Sequence, residues 1–81
     1  MIEVLKTAIL QFLWRKKGSS FSPEEVLIQL YPEDWELFIP EMLETLMEMR
    51  EAGLVRIEPE ELNLSKIPLN QIKIWMPSKL I

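Results

Sequence analysis

Cysteine and histidine are both missing from these 81 residues. Their absence removes disulfides, thiol nucleophiles, zinc fingers and imidazole catalysis together. Carboxylates are left as the only plausible metal ligands. Long apolar runs are missing too. The longest near the N-terminus is Thr7 to Trp14, between Lys6 and Arg15, far short of the roughly 20 residues a membrane span needs. A secretory signal would place positive charge before its apolar run, whereas here Glu3 precedes it and Arg15-Lys16-Lys17 follow. An intact cytoplasmic protein is the expectation.

What is present suits one small globular domain spanning residues 1–81. An apolar fraction of 48% argues for a packed core. Without disulfides, so short a chain must rely on packing, and it gains from a partner or a second copy of itself.

The net charge of −4 conceals a segregation. Residues 1–23 carry four bases against Glu3, and residues 62–81 carry Lys66, Lys73 and Lys79 with no acid. Between them, residues 24–61 carry twelve acids against Arg50 and Arg56. Such a middle repels phosphate, so any nucleic-acid contact must come from the two ends.

Leu5, Ala8, Ile9, Phe12 and Leu13 recur at three- and four-residue spacing, which predicts a first amphipathic helix stopped at Gly18. Leu10 and Trp14 lie on a different face. They imply either a helix buried on two sides or an exposed patch for self-association. Ser19 to Phe21 has length for a single extended bridge. Ser22-Pro23-Glu24-Glu25 then reads as a capping box with proline at the first helical position. Val26, Leu27 and Leu30 form the buried face of this second helix, and Pro32 ends it.

Pro32-Glu33-Asp34-Trp35 predicts a turn, with Asp34 a candidate cap and Trp35 a core anchor. Pro40 belongs near a helix start. In the third helix Ile39, Leu43, Leu46 and Met47 mark an apolar face, with Met42 and Met49 beside it. Glu41, Glu44, Glu48 and Glu51 line the solvated face, and Gly53 is the expected C-terminal stop. Leu54–Ile57 and Ile72–Met76 read as the strands of a hairpin, the ring of Trp75 buried, with a long loop between them that is mobile at its tip. The fold class is therefore α+β, mainly α: a winged helix-turn-helix of three helices followed by a β-hairpin wing.

Ser22-Pro23-x-Glu25-Val26, Pro32-Glu33-Asp34-Trp35, Ile39-Pro40 and Gly53 before a strand together resemble a small bacterial domain-of-unknown-function family. Its members are short cytoplasmic proteins predicted to be winged-helix-like. The resemblance covers residues 5–76 and implies the same fold here, with no biochemical role attached. The chain departs from it in an acidic wing opening, Glu58, Glu60 and Glu61, and in Asn70-Gln71 where the family carries a Gly-Pro step.

The leading functional expectation is a non-enzymatic interaction module that contacts protein, a second copy of itself included. Its candidate surface is Leu10, Trp14, Met47 and Met49. The alternative is a DNA- or RNA-binding regulator with Arg15, Lys16, Lys17, Lys66, Lys73 and Lys79 on phosphates and the acidic third helix held away. Catalysis would need a desolvated carboxylate, and only Glu33 and Asp34 beside the Trp35 indole are candidates. No cofactor, metal ligand set, membrane contact or small-molecule substrate is expected.

Overall fold

The computed structural model describes residues 2–16, 18–60 and 63–77. Helix α1 spans Ile2–Arg15, α2 Pro23–Leu30 and α3 Ile39–Glu51; strands β1 (Arg56–Glu58) and β2 (Lys73–Trp75) follow. Short 3₁₀ turns cover Trp35–Phe38, Leu64–Lys66 and Leu69–Gln71. The strands pair antiparallel, with Arg56 opposite Trp75, Ile57 opposite Ile74 and Glu58 opposite Lys73. Phe21 adds a bridge on the other side of β2, exchanging two backbone hydrogen bonds with Ile74. The result is the winged-helix-like layout expected, a mainly helical α+β fold.

Local chemistry accounts for most element ends. In the capping box, the Ser22 N–H donates to the Glu25 carboxylate at 2.9 Å, and the Glu25 N–H donates to Ser22 Oγ at 3.4 Å. Pro23 opens α2, where its missing N–H costs nothing. After α3, Gly53 adopts φ +75°. Its N–H donates to the Arg50 carbonyl and that of Leu54 to Met49, the paired bonds of a Schellman motif.

Asp34 departs from expectation. It precedes the 3₁₀ turn at Trp35 without a side-chain cap, and its backbone carbonyl alone accepts from Leu37 N–H at 2.9 Å. A 3₁₀ turn, inserted where a direct helix start was expected, satisfies these groups through the backbone. The turn is held instead by the rings of Tyr31 and Phe38, stacked with centroids 4.1 Å apart.

The core is continuous through all the elements. Leu5, Ala8, Ile9, Phe12 and Leu13 of α1 meet Phe21, Val26 and Leu27, then Ile57, Ile72 and Ile74 of the hairpin region. In α3 the buried face is Met42, Thr45, Leu46 and Met49; Ile39, Leu43 and Met47 are only half-buried at its edge. The face is rotated from the one expected because Thr45 can be buried. Its hydroxyl donates to the Glu41 carbonyl at 2.8 Å, which removes the penalty of enclosing it.

The β1–β2 connection is not the free loop expected. Leu64 is fully buried, Ile67 and Leu69 pack against the core, and the 3₁₀ turns lie on α3 and α2 respectively. Apolar residues spaced through the loop give it a reason to fold back, since burying one leucine is worth about 1.5–3 kcal/mol. Trp75 also corrects an expectation. Ile74 takes the inward position of β2, leaving Trp75 half-buried on the outer face with Lys73, the Arg56 guanidinium 5.3 Å from its ring centroid. No helix of the described residues is long and apolar enough to cross a membrane.

Candidate interaction surface

Once α1 has turned its apolar stripe inward, 3.6-residue periodicity leaves Val4, Thr7, Gln11 and Trp14 in a strip along its outer side. None of the four is charged. Val4 is 47% exposed and Trp14 66%; Ile28, on the neighbouring α2, is 41% exposed. Shallow depressions follow this strip. One is lined by Val4, Thr7, Ala8, Gln11 and Leu30, the next by Gln11, Trp14, Arg15 and Gln29, and the last by Phe12, Arg15, Lys16, Glu25, Ile28 and Gln29. Shared residues join them into one groove between α1 and α2.

The groove is framed by charges that are themselves occupied. Lys16 Nζ lies 3.6 Å from Glu25 Oε1, and the Arg15 guanidinium sits 4.6 Å from the centroid of the Phe12 ring. An exposed pair of this kind is worth about 0–1 kcal/mol. It adds little to stability but holds two long side chains at the edge of an apolar floor.

Of the four expected contact residues, the structure leaves one clearly exposed. Trp14 stands out to solvent, so α1 is not buried on both sides there. Leu10 is half-buried and packs against the core, as does Met47. Met49 is 2% exposed and belongs to the core, because the rotation of α3 that admits Thr45 also carries Met49 inward. Met42 is fully buried, while Met76 and Trp35 are half-buried against the core. Val4 and Ile28 went unread, although Val4 lies at helical spacing from Thr7, Gln11 and Trp14. Leu37, 75% exposed within the turn before α3, is a further outlying apolar side chain.

The candidate phosphate contacts are dispersed. Arg15 closes α1 with Lys16 in the turn after it, Lys66 lies in the 3₁₀ turn on α3, and Lys73 is in β2 opposite Glu58. All four are exposed. Lys17 and Lys79 lie outside the described residues. Glu44, Glu48 and Glu51 are exposed along α3 as expected, while Glu41 is half-buried with Oε2 enclosed and making no hydrogen bond. Trp75 Nε1 is likewise enclosed and unpartnered. Glu33 and Asp34 are exposed, so the Trp35 indole does not desolvate them. Among the described residues, no three acids converge as a metal-ligand set. No family model matches this chain, and no curated protein or solved structure matches it significantly.

Proposed function

We propose that this chain is a non-enzymatic protein-interaction module that makes its contact through the α1–α2 groove. The observation carrying the reading is Trp14, 66% exposed on the same outer strip of α1 as Val4, which is 47% exposed. Tryptophan is the side chain most often found anchoring interfaces, because it buries a large rigid surface at small entropic cost. Membership of the winged-helix-like family that the Ser22-Pro23 to Gly53 pattern resembles belongs to the same proposal, as does a cytoplasmic setting.

Nucleic-acid binding is the reading it displaces. The α3 surface that would enter a groove carries Glu44, Glu48 and Glu51, and three like charges there oppose phosphate approach. Arg15 and Lys16 already contact a ring and a carboxylate.

A photo-reactive benzoylphenylalanine placed at position 14 in the native host cell tests the proposal. It is expected to give a protein adduct of defined mass, whereas the same group at position 48 gives none. No protein adduct from position 14 would overturn the reading. So would a low-salt gel shift with random duplex or single strand that is lost in Arg15→Glu.

A further inference from the structure

We infer that the occupant of the α1–α2 groove is a short helical segment of another protein, uncharged along the side it lays against α1, rather than a folded domain. The inference rests on the reading of that groove as a protein-contact surface.

Area argues against a folded partner. Helix α1 has 14 residues and is about 21 Å long. With the flank of α2 it offers less than the roughly 800 Å² per side that a stable contact between folded domains buries. A single segment lying along α1 needs no more than this strip. The depressions suit it, because they follow one another from Val4 to Lys16.

Conformation follows from the walls. Both sides of the groove are helices, whose interior N–H and C=O groups are bonded within each helix. A strand laid between them would find no backbone partner, unlike one added to a sheet edge. A helix brings its own backbone bonds and needs only side-chain contact. Apolar residues at three- and four-residue spacing on one of its faces would meet Val4, Trp14 and the half-buried Leu30.

Charge sets the rest of its chemistry. No charged residue stands between Lys6 and Arg15 in α1, or after Glu25 in α2. A carboxylate or ammonium group carried onto this strip would lose water and meet no opposite charge. Thr7, Gln11 and Gln29 are exposed along it and offer a hydroxyl and two carboxamides, which pair with neutral polar groups. Lys16 and Glu25 already pair with each other at the far end, so charge does not select the segment there either.

Benzoylphenylalanine in place of Val4 and, separately, of Trp14 tests the inference in the native host cell, the adducts being digested and mapped by tandem mass spectrometry. The two positions stand about 15 Å apart along α1. Both should mark one segment of one protein, at sites about ten residues apart in it, as a helix lying along α1 requires. Gln11→Lys, which sets a charge in the middle of the strip, should cut either adduct about tenfold or more, and Gln11→Ala should not. Gln11 is exposed, so the melting temperatures of both variants should match wild type.

Sites about four to five residues apart mean an extended segment, at about 3.3 Å per residue, and overturn the inference. So do marks scattered over separate segments of one protein, an adduct of two copies of this chain, or a yield indifferent to Gln11→Lys. In each of those cases the interaction reading stands. No protein adduct from position 14 overturns that reading and the inference with it.

Discussion

Ser22 and Asp34 look interchangeable as helix-opening residues, yet the structure gives them opposite weights. Ser22 belongs to a closed pair of hydrogen bonds with Glu25, whereas the Asp34 carboxylate caps nothing. Glu25→Ala removes the shorter bond of the box and the Lys16 contact, and should cost about 1 kcal/mol. Asp34→Ala should stay within about 0.5 kcal/mol of wild type, as an exposed substitution without a structural role does. Urea unfolding of the two variants checks the contrast; equal losses would show that Asp34 caps through an arrangement absent here. The serine was readable because a capping box is a local pattern, complete within four residues. The aspartate was not, because the intervening 3₁₀ turn is set by Tyr31 and Phe38 stacking across it, a contact between side chains seven residues apart.

Helix boundaries followed the same logic of locality. Pro23, Pro32, Pro40 and Gly53 each act on the backbone within a turn of themselves, so the ends of α2 and α3 were legible in the sequence. Which way α3 faces was not, since burial of Thr45 depends on a hydrogen bond inside the helix and on what α1 presents to it. The β1–β2 connection departs from expectation for a related reason. Proline and charge mark it as a loop, but Leu64 reaches the core across a distance no local pattern records. Leu64→Ala is expected to destabilise by about 2–5 kcal/mol, the range for a fully buried leucine. Thermal or urea denaturation reads this directly. A loss below about 0.5 kcal/mol would mean the segment does not pack on α3.

At the scale of the molecule, charge is distributed against stability. Residues 24–61 hold nearly all the acids, and Glu44, Glu48 and Glu51 share one helix face with few bases near them in sequence. Repulsion within this region should outweigh the exposed Lys16–Glu25 pair. Raising monovalent salt from about 0.01 to 0.15 M shortens the screening length from about 30 to 8 Å, and the melting temperature should rise. A fall would show that attractive pairs dominate. Segregation of charge was visible in the sequence, and so was the exclusion of thiol and imidazole chemistry. The groove was only partly visible. Trp14 stood out, but Ile28 joins it only because α2 packs beside α1.

The bridge between Phe21 and Ile74 has a consequence for how the chain comes into being. It ties the linker after the first helix to a strand roughly fifty residues later, a loop closure that must be met before its contacts return anything. During synthesis, all three helices are made before the strand that joins them. Phe21, Leu27 and Leu46 then wait with open faces until Ile72 and Ile74 arrive. The fold can therefore close only after residue 74 has been made, and until then the apolar faces of the helices lack the strand that covers them.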